Sequence, residues 1–458
     1  MDLRIADILA ILILVEVLAL YLRKLTGTRP GCLPPGPRGL PLLGNMFQLP
    51  TSFEWVTYNR WCKEFDTDII HLNAVGVSIV VLNSMKAAED LVEKRSTIYS
   101  SRPHSIVLNE LMGHERNFAF MKYGEQWRIR RRLFDQAFNS TASRRYQPQE
   151  AKATQELLRK LCDDPDNFTS HIRYHAATII LSIAYGIRLL PENDPYVALA
   201  EEGVHAIILA ARPGAYLVES LPMLKYVPSW LPGAGWKRQI QHWYHITKAM
   251  SHEPFEAAKD NIAKGTILPS FTSYCSQEFQ DTQDPAYDEA LARDVAATMY
   301  FAGADTTVST LTTFFLAMLA NPEAQRRAHQ EIDRVVTNGH LPDFSDHDAL
   351  PYITAIVKET FRWQNVLPMG ENEFKFRSAP LPQPLEGVLH CLDEEDVYNG
   401  YRIPAGSVVV TNIWAMLHDE TVYPEPLSFK PERFLAPNGQ LDPNVQDPAK
   451  AVFGFGRR

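Results

Sequence analysis

No two cysteines in this 458-residue chain are spaced C-x-x-C, and the total of five is odd. Cys32, Cys62, Cys162, Cys275 and Cys391 are scattered. That excludes a disulfide framework and a cysteine-based zinc site, and it fits a reducing compartment. A basic excess is also missing: 45 Lys+Arg face 54 Asp+Glu, for a net charge of −9. Nucleic-acid binders usually show the opposite balance, so nucleic acid is excluded as a partner. There is no internal repeat, and beyond Pro50 there is no linker or low-complexity tract. Two glycosylation sequons, Asn139-Ser-Thr and Asn167-Phe-Thr, matter only if they enter a secretory lumen.

What is present begins with an apolar run, "IADILAILILVEVLALYL" (5–22). As a helix it spans roughly 27 Å, close to one hydrocarbon core. No basic run precedes it, no small-x-small cleavage site follows, and Arg23, Lys24 and Arg29 come next. This predicts an uncleaved membrane anchor over 1–22 with the body on the cytosolic side. Residues 23–50, including "RPGCLPPGPRGLPLLGN", read as a stiff proline-rich linker. The remainder, 51–458, is dominated by helical patterns at 84–94, 124–138, 150–161, 174–185, 290–319, 322–336 and 351–362. Apolar stretches "HAIILAA" and "YLVESLPMLKYV" (216–227) read as helices near a greasy pocket. Strand-like alternation is short, at 68–83 and 407–414. The fold class is mainly α with a small β subdomain.

Five motifs bear on chemistry. "FAGADTT" (301–307) puts a side-chain-poor patch, Ala302-Gly303-Ala304, inside the longest helix. Glycine there costs about 1 kcal/mol against alanine, so packing or function must want it. Thr306 can bond a carbonyl one turn back, and with Asp305 it can pass protons at a helix notch. Close helix packing with a solvated Asp305 is the alternative. "KETFRW" places Glu359 and Arg362 on one helix face, and "FKPERF" supplies Arg433 from a non-helical stretch. Either they form a surface ion pair, or the three make a network with an arginine–carboxylate fork. "GEQWRIRRRLF" (124–134) sets Trp127 and Arg131 at i, i+4, able to hold one anionic group, with Arg128, Arg130 and Arg132 as a basic patch or a solvated face. "AVFGFGRR" (451–458) is a glycine loop able to approach a ligand closely. A dinucleotide loop is excluded because no helix follows the glycines.

Taken in order, "PPGPRGLPLLGN", "WRIRR", "AGADTT", "KETFR", "FKPERF" and "FGFGRR" resemble the cytochrome P450 family in its membrane-anchored fungal form. The resemblance covers essentially the whole chain. The stretch "PGAYLVESLPMLKYVPSWLPGAGWKRQ" (213–239) is similar to basidiomycete members, including those labelled O-methylsterigmatocystin oxidoreductase-like. Phe453, Gly456 and Arg458 match the opening of the family's haem loop, F-x-x-G-x-R-x-C-x-G. The cysteine that ligates iron falls two residues past Arg458, and no cysteine of the 458 residues sits in that pattern.

The resemblance implies haem b as cofactor and electrons from NADPH through a reductase. It implies that Ala302 and Gly303 flank the haem, that Asp305 and Thr306 deliver protons, and that Trp127, Arg131, Arg458 and His390 bind propionates. Glu359, Arg362 and Arg433 become a structural triad, and the basic patch becomes a docking surface for an acidic reductase. The expected activity inserts one oxygen atom of O2 into an apolar organic substrate in fungal secondary or xenobiotic metabolism, from the endoplasmic reticulum membrane. As written, without the ligand cysteine, the chain is expected to be inactive; a haem-free, membrane-anchored scaffold is the alternative. "ENEFKFRSAPLPQPLE" (371–386) departs from the family pattern and reads as a retained-intron insertion or a surface loop.

Overall fold

A computed structural model describes residues 32–457 apart from 51, 212–213, 281–282, 338 and 368–388. The expected anchor at 1–22, the first part of the linker, the insertion at 371–386 and Arg458 therefore lie outside the described residues. No described helix is long and apolar enough to cross a membrane.

Helices of eight residues or more among the described residues are α1 (Glu54–Glu64), α2 (Glu125–Phe138), α3 (Gln147–Asp163), α4 (Phe168–Tyr185) and α5 (Pro195–Ala210). They continue with α6 (Gly235–Ala263), α7 (Phe271–Glu278), α8 (Pro285–Ala320), α9 (Pro322–Val335) and α10 (Pro351–Trp363). The centre is α8, 36 residues long. It starts where a helix should: the Asp284 side chain accepts the Tyr287 N–H at 3.1 Å, and Pro285 occupies the first turn, where its missing donor costs nothing. It ends at Asn321, where Pro322 begins α9 at an angle. The first half of α8 is packed all round, with Leu291, Val295, Ala296, Met299 and Tyr300 buried against Leu181, Tyr185, Met250, Phe255 and Phe271 from α4, α6 and α7. Each such large side chain contributes about 1.5–3 kcal/mol by leaving water, so this cluster anchors the helical body.

The four-stranded sheet runs β1-β2-β6-β3, with β1 (Ile69–Ala74), β2 (Val77–Leu82), β3 (His390–Cys391) and β6 (Val408–Thr411). β1 and β2 pair antiparallel through a two-residue turn at Val75 and Gly76, both at positive φ. β2 pairs parallel with β6, which joins the first hundred residues to the last sixty. β4 (Asp396–Tyr398) and β5 (Tyr401–Ile403) form a separate hairpin closed by Asn399-Gly400. Both turn residues have positive φ, as the tight hairpin turn requires. The sheet, the hairpin and the chain near Phe455 share one buried cluster that includes Leu82, Leu91, Val409 and Tyr423.

The mainly α reading with a small sheet holds, with three local corrections. The helix expected at 84–94 is Met85–Ala88 running into a π-type turn, Glu89–Glu93. The apolar helix expected at 216–227 is instead two short 3-10 turns, Leu217–Glu219 and Pro222–Tyr226; Pro222 offers no backbone N–H and stands at the start of the second turn, where none is needed. And α6 spans 29 residues with Pro254 inside it, a length that the proline concealed from the sequence.

Candidate active site

In its second half α8 changes character. From Phe301 to Leu316 the only fully buried residue is Val308, and Ala302 is exposed. An open alanine in the middle of the central helix is the mark of a face left clear. The Thr306 hydroxyl donates to the Ala302 carbonyl at 2.9 Å, so the side chain competes for the helix ladder at the expected notch. Asp305 is held above the usual carboxylate range by burial; the Arg173 guanidinium opposes this and Glu201 adds to it. Arg173 Nε is itself 3.6 Å from Glu201 Oε1, and so links α4 to α5. Gly303 faces another way. A Cβ there would stand 2.8 Å from Ile180 Cδ1, so the glycine lets α8 and α4 approach closely. The patch therefore divides: Gly303 meets a neighbouring helix and Ala302 meets the open face.

Glu359, Arg362 and Arg433 come together. Arg362 Nε and Nη2 donate to Glu359 Oε2 and Oε1 at 2.7 and 2.8 Å, a two-pronged fork. Arg433 Nε lies 3.1 Å from Glu359 Oε2, and the Lys430 N–H donates to Oε1 at 2.7 Å. Glu359 and Arg362 are both 0% exposed. The remaining Arg362 donors reach the carbonyls of Leu417, Pro426 and Ser428. The network thus nails α10 to the loop before the terminal glycines.

The terminal loop sits beside α10 and α2. The Phe453 ring stands 5.5 Å from that of Phe361 in α10, yet Phe453 is 68% exposed. Gly456 has φ +73°, and a Cβ there would lie 2.4 Å from the Val92 carbonyl oxygen, so only glycine fits. Phe455 is buried instead. Arg457, which the sequence motif did not single out, donates to Ser96 Oγ and Thr97 Oγ1 at 3.2 Å and to the Tyr123 hydroxyl. The Tyr123 ring in turn packs 5.3 Å from Trp127, which is buried. Arg131 is turned along its own helix, 3.1 Å from Asp135 and over the Phe134 ring. His390, in β3, is buried with Nδ1 2.8 Å from the Tyr99 carbonyl.

One expectation fails. Arg130 is not part of a surface patch. It is buried, with Nη2 2.7 Å from Asp294 Oδ2 in α8. The helix period explains this: Trp127, Arg130, Leu133 and Ala137 form the buried stripe of α2, whereas Arg128 and Arg132 face solvent. Three of the five cysteines are poorly suited to a ligand role. Burial pushes the Cys62 thiol up to about 12 and raises Cys275 and Cys391, which favours the protonated form over the thiolate that binds metal.

A long central helix thus carries an open alanine face and an acid–threonine pair, and an arginine-locked loop leads to the terminal glycines, an arrangement able to serve an enzyme core. Comparison with known proteins agrees. The cytochrome P450 family profile matches residues 34–375 and 376–458. Cytochrome P450 monooxygenase 98 of Postia placenta is 42% identical over 426 residues, 93% of this chain and 78% of that protein. Cytochrome P450 monooxygenase ple1 of Rhodocybe pseudopiperita is 43% identical over 430 residues, with the same coverages, 93% and 78%. Tryptamine 4-monooxygenase of Psilocybe cyanescens is 40% identical over 442 residues, 96% of this chain and 84% of that protein. The chain belongs to the cytochrome P450 family and is an oxidoreductase by that membership. The family's cofactor is haem b, supplied with electrons by a reductase.

The residues present fit that group. Haem is a flat apolar ring with carboxylates on one edge. The open Ala302 and the exposed Phe453 supply apolar surface, and Trp127, Tyr123 and Arg457 supply N–H and O–H donors at the junction of α2 with the terminal loop.

Proposed function

We propose that this chain is a haem-thiolate monooxygenase that inserts one oxygen atom of O2 into an apolar organic substrate in fungal secondary or xenobiotic metabolism. Electrons come from NADPH through a reductase. The observation that carries the reading is the stretch Ala302–Thr306 of α8: an open alanine face, a hydroxyl bonded back to the helix, and a carboxyl raised by burial. The haem supplies the electron and O2 chemistry. The protein's part is to hold it and to move protons. Thr306 Oγ1 donates one bond to the Ala302 carbonyl and keeps lone pairs for a proton donor on the open side. Burial raises the proton affinity of the Asp305 carboxyl above that of a solvated aspartate, which suits it to accept and return a proton. Trp127, Arg131 and His390 are assigned to the carboxylate edge, beside Arg457 and Tyr123. In the family's loop pattern the iron ligand is a cysteine two positions after the arginine that Arg458 matches.

The charge step at Arg23 and Lys24 after the apolar run supports attachment to the endoplasmic reticulum membrane with the body in the cytosol. Asn139 and Asn167 then carry no glycan, and a glycosidase-induced mobility shift would overturn that topology. The test of function is the ratio of product formed to NADPH consumed in Asp305→Asn and Thr306→Ala. Removing a positioned proton donor costs about 10²–10⁴-fold, so the ratio should collapse while NADPH consumption continues. Unchanged coupling in both variants would remove the assignment.

A further inference from the structure

Between the arginine-locked network and the terminal glycines the chain is tied to α10 a second time. Arg433, the last member of the network, stands 20 residues before Phe453, whereas Asp447 stands six before it. Every residue between a tie and the loop adds two soft dihedral angles, so the nearer tie governs where the loop sits. The short helix Ala449–Val452 leads into the loop and carries its first residues: the Phe453 N–H donates to the Ala449 carbonyl at 3.2 Å, and the Gly454 N–H to the Ala451 carbonyl at 3.1 Å. Four residues do not hold themselves helical, since nucleation is unfavourable and the first N–H groups lack intrahelical partners.

Asp447 meets both needs. Its Oδ1 accepts the Ala449 N–H at 3.0 Å, and its Oδ2 accepts from the Lys358 ammonium. Just before it, the Gln446 carbonyl accepts from the buried Tyr423 hydroxyl at 3.0 Å. Lys358 immediately precedes Glu359 in α10, and neighbouring helical residues point about 100° apart. One helix therefore reaches the Ser428–Arg433 stretch with its carboxylate and the Asp447–Val452 stretch with its ammonium. The two ties differ in kind. The Glu359 and Arg362 side chains are sealed from water, whereas those of Lys358 and Asp447 are 23% and 40% exposed, so salt screens their attraction. Burial works against the Asp447 charge, yet the Lys358 ammonium and the Ala449 N–H hold the carboxyl below the usual range. An ion pair this open adds little to overall stability, but it sits on the segment that carries the loop.

We propose that Lys358 and Asp447 are positioning residues for the haem-binding loop: the pair latches Ala449–Val452 to α10 and sets how firmly Phe453–Gly456 closes on haem. That haem is the group held rests on the monooxygenase reading; the latch itself does not. The latch is tested by hydrogen exchange of the Ala449, Phe453 and Gly454 amides. Exchange should quicken about three- to fivefold in Lys358→Gln and stay unchanged in Arg326→Gln, which breaks an exposed pair with Glu323 on α9. In the haem-loaded full-length enzyme, haem transfer to excess apomyoglobin should quicken by a similar factor in Lys358→Gln, and Lys358→Arg, which keeps the charge, should restore most of both. Asp447→Asn keeps an acceptor for Ala449 but not the ion pair; it should match Lys358→Gln, and it serves if that variant does not fold. About 1 M salt, with a screening length of about 3 Å, should speed haem transfer from the parent and change Lys358→Gln little, a response that a general loss of stability would not give. Unchanged exchange in Lys358→Gln and Asp447→Asn overturns the latch. Faster exchange with unchanged haem transfer overturns its role toward haem. A parent enzyme that takes up no haem overturns the monooxygenase reading, and the haem role with it.

Discussion

Replacing Glu359 by alanine removes the acceptor that four donors share: Arg362 Nε and Nη2, Arg433 Nε and the Lys430 N–H. Arg362 would keep its hydrogen bonds to the carbonyls of Leu417, Pro426 and Ser428. Its charge, however, would have no counter-ion at a position that is 0% exposed. Breaking a buried pair from one side costs about 3–5 kcal/mol, because the remaining charge stays out of water. Set against a total stability of about 5–15 kcal/mol, that is enough to leave much of the protein unfolded or unable to retain haem. Glu359→Gln keeps the volume and one accepting oxygen but not the charge, so it should fall between alanine and the parent. Glu359→Leu combined with Arg362→Met removes both charges and should recover part of the loss, giving a coupling energy of about 1 kcal/mol or more. The assay is the urea midpoint at constant slope, together with the haem absorbance per polypeptide. A loss below about 1 kcal/mol in Glu359→Ala, with normal haem loading, would refute the account of the triad.

Three further outcomes are expected. Arg130→Met should cost about 3–5 kcal/mol in unfolding experiments by stranding Asp294, whereas Arg128→Glu with Arg132→Glu should leave stability nearly unchanged and weaken electron transfer from the reductase in a salt-dependent way. Gly456→Ala should destabilise the terminal loop by about 1–3 kcal/mol and lower haem retention, since the new methyl meets the Val92 carbonyl and the positive φ is strained; normal retention would show that the loop can shift freely. Burial holds His71, His114 and His418 at about 4 against an ordinary 6.5, so the unfolded chain takes up these protons first, and stability should fall as pH drops from about 6.5 towards 4. Each histidine contributes up to about 1.4 kcal/mol per pH unit in that window, and His114→Asn should make the slope shallower by one such step.

How much of this was legible beforehand depended on the range of the interaction. Glu359 and Arg362 are three apart on one helix, so their pairing follows from the helical period; Arg433 joined them only through the ordered motifs. The long central helix was legible over 290–319 from its apolar pattern, while its first turn, from Pro285, lies before that pattern begins. Arg130 was grouped with Arg128 and Arg132 because charge was weighed above periodicity, although its spacing from Trp127 and Leu133 already placed it inside. Its partner Asp294 lies 164 residues away, and nothing local reports that distance. Gly303 was read as one patch with Ala302, but adjacent helical residues point about 100° apart, and only the fold shows which side Ile180 occupies. The tie of Lys358 to Asp447, 89 residues away, was equally invisible, since a carboxylate in a polar stretch carries no sign of the lysine it will meet.

The parallel pairing of β2 with β6 bears on how the protein is made. Ser78 and Ser407 share a hydrogen bond across 329 residues of chain. A ribosome adding about 5–20 residues per second needs roughly 16–66 s to supply that interval. Throughout it the β1–β2 hairpin waits with the edge of "VSIVVL" uncovered, a β-branched run with no charge and no proline. Nascent chains stalled between residues 82 and 408 should therefore bind holdase chaperones through this strand and aggregate without them, and release should coincide with the emergence of Val408–Thr411 from the exit tunnel.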